Sequence, residues 1–395
     1  MALVKTSRGA AAVTSGPIDD IFAALARRPE VVSFAVGAPD PTLLPGDLVS
    51  TLSHDVLAKY GSAVLQYGMT QGFAPLLEQA RILLSNRHIQ CSPERLHIST
   101  GGSGALHNVC SALVDPQDVV LVETPTYGPA VKVFRSHGAT VIAVPSDDFG
   151  IVPEALDEAL ARYDVAFVYL LPTFQNPTGR TMPIDRRTQI ADIVVRRGAL
   201  LVEDDVYTDL RYRGVSLPAL YSFAPENSIY ITSLSKTLAP AIRVGITAMR
   251  PDLLKNVLAL KQGIDMQTST YCQAIAAEFL GSAAGATHLA HVIDTYSAKL
   301  DTVVDAIGRR LPPGFRWVMP DGGMFLWIEC PPGFDADALL DTALRRGVAF
   351  LPGSAFYSDT ETDHRNTMRL SFANVPHDDI DRGIELLAGV CEEAA

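Results

Sequence analysis

The sequence is short of cysteine, of positive charge and of long apolar stretches. Its five cysteines, Cys91, Cys110, Cys272, Cys330 and Cys391, are odd in number, widely spaced and include no C-x-x-C pair. That spacing argues against a disulfide framework or a zinc ribbon and suits free thiols in a reducing cytoplasm. Lysine and arginine total 32 against 44 acids, a net charge of −12. Such a chain repels phosphate backbones, so nucleic acid is not an expected partner, although a local basic pocket for a small anion stays open. No run of about 18 apolar residues occurs, so no membrane span is expected. The first residues, Met1-Ala-Leu-Val-Lys-Thr-Ser-Arg-Gly-Ala10, lack the apolar core of a secretory signal.

What is present is enough for a large core. The 395 residues are 48% hydrophobic, with 29 glycines and 26 prolines spread along the chain. This length implies two domains rather than one. Residues 1–60 read as an N-terminal arm with part of a smaller domain. Residues 61–290 read as the large domain, and 291–395 as the remainder of the small one. The opening segment has a short amphipathic patch at Ile18–Leu25, an extended run Val31–Asp40, and helices at Asp47–Tyr60 and Phe73–Arg87.

From Arg95 onward, short β-branched runs alternate with helical stretches. The runs are Arg95–Ser99, Val119–Val122, Thr140–Val144, Val165–Leu171, Ala199–Glu203, Ser228–Thr232 and Arg243–Met249. Nearly continuous apolar strands are those covered on both faces. The alternation predicts an α/β fold with a mainly parallel seven-stranded sheet between helices. Helices are expected at Ala105–Leu113, Pro251–Gln262, Tyr271–Leu280 and about His288–Leu311. The smaller α/β unit is expected to have strands at Phe315–Val318, Met324–Glu329, Val348–Leu351 and Met368–Phe372, with helices at Ala336–Arg346 and Asp378–Cys391. No metal site is expected. His288-x-x-His291 has helical spacing but lacks the glutamate of H-E-x-x-H and a third ligand, so the pair reads as surface histidines.

Ligands of parallel α/β sheets gather at the carboxyl ends of strands. Six features pass that filter. Thr100-Gly-Gly-Ser-Gly-Ala105 leads from a strand into a helix, where small residues and the helix N-terminus suit a phosphate. A dinucleotide fingerprint would need a third glycine, which Gly102-Ser-Gly-Ala-Leu-His107 lacks; a hydrolase elbow would need glycine at Ala105. Tyr127 follows the second strand and could cover a flat ring or merely cap the sheet. Asn176-Pro-Thr-Gly179 alone says only turn. Glu203-Asp204-Asp205-Val206-Tyr207 puts acid at a strand end. Lys236, in Ser233-Leu-Ser-Lys236, sits between two apolar runs; desolvation would lower its pKa and free its amine to attack a carbonyl, while an ordinary loop lysine is equally open from this stretch. Arg369 lies inside the apolar strand Met368–Phe372 and needs a carboxylate partner or a route to solvent.

The ordered set Gly-Gly-Ser-Gly-Ala, Tyr127, Asn-Pro-Thr-Gly, Asp-x-x-Tyr, Ser-x-x-Lys and Arg369 resembles the pyridoxal-phosphate-dependent aminotransferases of fold type I, over about Val31 to Val390. It looks closest to their 2-aminoadipate, aromatic and branched-chain branch. The resemblance implies an aspartate-aminotransferase-like fold and pyridoxal 5'-phosphate as cofactor. Lys236 would carry the cofactor on its amine and then act as general acid and base, with Asp204 and Tyr127 as its catalytic companions. Asp204 would hold the pyridine nitrogen, Asn176 and Tyr207 the ring oxygen, and Tyr127 the ring face. Gly102, Ser103, Ser233, Ser235 and Arg243 would hold the phosphate. Tyr67 would reach the phosphate of the other subunit, implying a homodimer with shared sites. Arg369 would clamp the substrate α-carboxylate, helped by Asn176 and the backbone at Gly37. The implied reaction passes an amino group from an L-amino acid to a 2-oxo acid by a ping-pong mechanism, with glutamate and 2-oxoglutarate as a candidate pair.

Members of this branch that take acidic side chains carry an arginine in the N-terminal segment, near Asp19 and Asp20 here. The expectation is therefore a neutral, aromatic or basic side chain, with Asp20 as a candidate pocket residue. The plainer alternative is that Asp19 and Asp20 only start a surface helix, where acids favour the first turn. Two further alternatives are β-elimination, decarboxylation or side-chain cyclisation on the same cofactor, and a non-catalytic sensing domain of a transcription regulator.

Overall fold

A computed structural model describes residues 5–13, 17–358 and 364–394. The seven expected strands are present: β1 Leu96–Thr100, β2 Val119–Glu123, β3 Thr140–Val144, β4 Val165–Leu170, β5 Leu201–Asp204, β6 Ser228–Ser233 and β7 Val244–Ala248. They form one sheet in the order β1-β7-β6-β5-β4-β2-β3. All neighbours are parallel except β7, which runs antiparallel to β1 and β6.

Helices cover both faces. Leu106 and Val109 of the helix Gly101–Leu113, with Phe134 of Gly128–Ser136, pack on Val120, Phe167, Tyr169 and Ile231. On the other face Leu156, Ile190 and Val194 pack on Leu121, Val168 and Leu170. Residues 167–170 thus alternate between the two layers, and both layers are apolar, which is why the strand reads as an unbroken apolar run. The β1–β7 end is closed by helices Gly46–Tyr60, Ala74–Ser85 and Thr270–Gly281.

The smaller unit has an antiparallel sheet of β8 Arg316–Trp317, β9 Phe325–Glu329, β10 Leu351–Pro352 and β11 Thr367–Ser371, in the order β8-β9-β11-β10. The single strand expected at Val348–Leu351 is broken in two. Gly347, at φ +90, ends the helix Ala336–Arg346 and delivers Val348 beside Val32 in a short parallel ladder. Phe34 N then donates to Ala349 O at 2.8 Å. Only after Phe350 does the chain turn to pair Leu351 with Arg369. Through this ladder the extended run after Val31 belongs to the small unit, with Val32 and Phe34 in its core.

Two helices begin earlier than their composition suggests. The long helix spans Ala283–Arg310, because Ser282 caps it by accepting from Gly285 N at 3.0 Å. The helix after β1 starts at Gly101, not Ala105, so the glycine-rich run forms its first turn. The five cysteines are free. Among the described residues no helix is long and apolar enough to cross a membrane. His288 packs edge-on against Phe279, ring centroids 5.9 Å apart, while His291 is exposed.

Candidate active site

A cavity of about 370 Å³ opens where the carboxyl ends of β1, β2 and β4–β6 face the small sheet. Its walls include Gly37, Gly102, Ser103, Tyr127, Asn176, Asp204, Tyr207, Ser233, Ser235, Lys236, Arg243 and Arg369. Two candidates are not there. Tyr67 is 76% exposed and does not line the cavity. Asp20 is exposed on the helix Pro17–Leu25, and Asp19 beside it pairs with Lys132 at 2.5 Å. The structure does not bring Asp20 to this cavity. The helix turns its apolar stripe inward, so Ile18 and Phe22 line the cavity and the acids face out.

Lys236 stands in the turn after β6, and its Nζ donates to Gly37 O at 3.1 Å. Burial lowers its pKa to about 8, and the nearby positive charges of Arg369 and Arg243 add to the effect. Gly37 lies on a loop fixed from below. There the buried Lys299 Nζ donates to Asp40 Oδ2 at 2.5 Å and to the carbonyls of Ala373 and Val375, while Tyr296 Oη accepts from Asp40 N at 3.0 Å.

Asp204 ends β5 and is 5% exposed. Its Oδ2 accepts from Tyr169 Oη at 2.7 Å, and its Oδ1 is buried without a partner. Burial raises this carboxyl to about 6; the Tyr169 bond works against the rise and the charge of Asp205 adds to it. Asn176 Nδ2 faces Tyr207 Oη at 3.5 Å, and its Oδ1 accepts from Arg369 Nη1 at 3.0 Å. Arg369 Nη2 donates to Ala35 O at 2.6 Å. Its guanidinium lies over the rings of Phe325 and Phe356, 4.4 and 4.9 Å from their centroids. Burial lowers its pKa to about 10, opposed by Tyr207 and Tyr127. Arg369 has no carboxylate partner among the described residues, and its Nε is buried and unpaired. A buried cation in that state is a ready receptor for an anion.

At the opposite end of the cavity is the first turn of Gly101–Leu113. The Thr100 side chain turns away to donate to Asp265 Oδ2 at 2.9 Å and does not cap the helix, and the turn holds no acid, so its backbone N–H groups are available. Arg243 Nη2 donates to Thr100 O at 3.2 Å and its Nη1 faces Ser235 Oγ at 3.5 Å. Gly101 has φ +72, and a Cβ there would fall 2.4 Å from Arg243 Nη2. The glycine is what allows the guanidinium to lie across the helix start. Ser233 Oγ donates within the same turn to Ser235 Oγ at 2.9 Å.

This donor set fits the cofactor that the resemblance implies. The lysine amine, the unpaired buried Asp204 oxygen and the cationic cradle of Arg243 with the helix start answer a carbonyl, a ring nitrogen and a phosphate respectively. Several parts were missed in the sequence. Tyr169 lay inside an apolar strand. Gln175 links two loops: its Nε2 donates to Pro125 O at 2.7 Å and its Oε1 accepts from Thr178 N at 2.8 Å. Ile18 and Phe22 were visible only as an amphipathic patch.

The family model for aminotransferase class I and II matches residues 29–387. The 2-aminoadipate transaminase of Thermus thermophilus is 35% identical over 96% of this chain and 94% of its own length. Aromatic-amino-acid aminotransferase 1 of Thermococcus litoralis is 34% identical over 92% and 88%. A crystal structure of Pyrococcus horikoshii kynurenine aminotransferase, in complex with PMP, superposes with a TM-score of 0.92 at 32% identity, covering 98% of this chain and 97% of that one. The chain belongs to the class I and II aminotransferases: it is a pyridoxal-phosphate-dependent transaminase of the aspartate-aminotransferase-like fold type I.

Proposed function

We propose that the amino donor is an L-amino acid with a neutral, aromatic or basic side chain rather than an acidic one. The observation that carries this reading is the inward face of the helix Pro17–Leu25. Ile18 and Phe22 line the cavity beside Phe325, Leu351 and Phe356. The lysine and arginines on the cavity wall are Lys236, Arg243 and Arg369, each with another task in this reading. A distal carboxylate would thus enter an apolar wall with no partner, which is costly. The named relatives act on aromatic amino acids, 2-aminoadipate and kynurenine; the wall of this chain sides with the aromatic group.

The residues divide as follows. Arg369 grips the α-carboxylate with two parallel N–H groups, helped by Asn176 and the backbone at Gly37. Gly102, Ser103, Ser233, Ser235 and Arg243 hold the phosphate. Tyr127 covers one ring face, Asn176 and Tyr207 bond the ring oxygen, and Asp204 bonds the ring nitrogen. The cofactor, when bound, supplies the electron sink that acidifies the substrate α carbon. Lys236 Nζ would act as the base towards that carbon's proton and, in the reverse half-reaction, as the acid that protonates the α carbon derived from the 2-oxo acid, a task suited to an amine with a lowered pKa. The two halves give ping-pong kinetics, with a 2-oxo acid such as 2-oxoglutarate as acceptor.

The same reading makes the protein a cytoplasmic homodimer in amino-acid biosynthesis, divided near residues 60 and 290. Support for the dimer is the patch around Leu65, Tyr67 and Met69, which are 68%, 76% and 75% exposed. Large apolar side chains so displayed suit a second copy, with Tyr67 reaching across. The test is an absorption spectrum of the cofactor-loaded protein, titrated with single amino acids. The expected result is a band shifted by aromatic or aliphatic donors and restored by a 2-oxo acid. A shift at lowest concentration by 2-aminoadipate or aspartate would sink the substrate reading. Ammonia release with no acceptor would sink transamination.

A further inference from the structure

The two oxygens of Asp204 have different surroundings. Oδ2 accepts the Tyr169 hydroxyl, while Oδ1 is buried and unpaired. Tyr169 is on β4, beside β5, with its Cα opposite Val202. Its ring is fully buried and packs edge-on against Phe134, centroids 5.1 Å apart. The ring would fill that space without its oxygen. The hydroxyl is therefore separable from the packing, and its partner is the carboxyl that faces the cofactor cavity.

The charged and titratable groups around Asp204 do not otherwise favour its ionised form. Asp205 is next to it and works against a second negative charge. The phenols of Tyr127 and Tyr207 are kept protonated by burial. No lysine or arginine makes an ion pair with Asp204 among the described residues. A carboxylate so enclosed needs a donor. Tyr169 provides it and, by occupying Oδ2, leaves Oδ1 as the acceptor.

We propose that Tyr169 is a positioning residue whose hydroxyl keeps Asp204 ionised and aims its Oδ1 at the pyridine nitrogen of the cofactor. The inference rests on Asp204 as the ring-nitrogen partner. Burial already pushes Asp204 up to about 6, against the pull of Tyr169. Without the hydroxyl the carboxyl moves further towards working pH and competes with the ring for one proton.

The test uses the full-length holoenzyme and Tyr169→Phe, which keeps the ring. Loaded with ¹⁵N-labelled pyridoxal phosphate, the variant should show the ring-nitrogen resonance displaced towards unprotonated pyridine at pH 7. The acid limb of its kcat profile should move up by about one pH unit. Its kcat should fall about tenfold, the size of one hydrogen bond to a charged group, with KM for the amino acid within twofold. The cofactor-free variant should bind pyridoxal phosphate about tenfold more weakly. An unchanged resonance and acid limb would overturn the inference even if activity dropped, since packing alone would then explain the loss. Asp204→Ala is measured beside it. If that variant also leaves the resonance unmoved, the assignment of Asp204 falls; if only Tyr169→Phe leaves it unmoved, the inference falls and the assignment stands.

Discussion

The floor of the cavity and its outer wall are made by different parts of the chain. The floor is polar and comes from strand ends of a sheet buried on both faces. Asp204 and Ser233 are the last residues of β5 and β6, Asn176 lies in the loop after β4 and Arg243 directly precedes β7, and each has a defined hydrogen-bond partner. The wall is apolar and comes from a nine-residue helix, Pro17–Leu25, and from the small sheet. Ile18 and Phe22 have no side-chain polar group, and Phe22 is 38% exposed. A preorganised polar floor suits chemistry common to many substrates. A thin apolar wall on a short helix suits the choice among them, since it can change without disturbing the sheet.

The comparison breaks first if the floor can lose its lysine. Lys236→Ala should lower kcat by about 10⁴-fold, the upper range for a lost acid–base group. Single-turnover absorbance with the preferred amino acid is the check. Turnover within tenfold of the parent would remove Lys236 from the chemistry.

Arg369 joins floor and wall, since it bonds Asn176 and lies over Phe325 and Phe356. Arg369→Lys keeps the charge but loses the planar pair of donors. It should cost about 10–100-fold in kcat/KM for every amino acid, the value of hydrogen bonds to a charged group. The loss should be equal for aromatic and aliphatic donors. A loss confined to one side-chain class would move Arg369 from the carboxylate to the side-chain pocket.

The wall is tested by Phe22→Arg against Asp20→Ala. The first places a cation on the cavity side and should raise kcat/KM for 2-aminoadipate over phenylalanine by about tenfold. The second removes an exposed acid and should leave that ratio within twofold. A larger effect at Asp20 would make that residue part of the substrate pocket.

The floor was legible in the sequence for a physical reason. Strands covered on both faces are continuous apolar runs, so polar residues directly after one stand out, as Glu203-Asp204-Asp205 do after Ala199-Leu-Leu-Val202. Arg369 stood out as a cation within such a run. Tyr169 was hidden by the same signal: in Val165–Leu171 its hydroxyl is invisible beside an aromatic ring that belongs in a core. Its parity with Phe167 and Leu171 places it on one face with them, but parity does not show that Asp204 meets it. Ile18 and Phe22 depend on how a short helix docks, which is a tertiary fact. The early start of the long helix was available in Ser282 as its cap; the run Ala283-Ala-Gly-Ala286 masked it, because glycine reads as a break. Gly101-Gly-Ser-Gly104 was obscured likewise.

The smallest expected effect concerns stability without cofactor. In that state Lys236 is held down to about 8, first by burial and then by Arg369 and Arg243. An unfolded lysine titrates near 10.4. Below about pH 8 both states hold the proton, and the folded state bears the full cost of an enclosed charge. Between about 8 and 10.4 the unfolded chain holds the proton and the folded one does not, so stability rises with pH through that window. Above it both are neutral and the cost is gone. The whole shift corresponds to about 3 kcal/mol. Lys236 is only half-buried by surface area and donates to Gly37 O, which reduces the expected cost to about 1 kcal/mol. Cofactor-free Lys236→Met should therefore be more stable than the parent at pH 7, and the gap should close by about pH 10.5 in urea unfolding. Phe22→Met, on the wall, should show a difference that does not vary with pH. If the two variants behaved alike, the floor would carry no electrostatic strain that the wall lacks, and burial of Lys236 would not be what lowers its pKa.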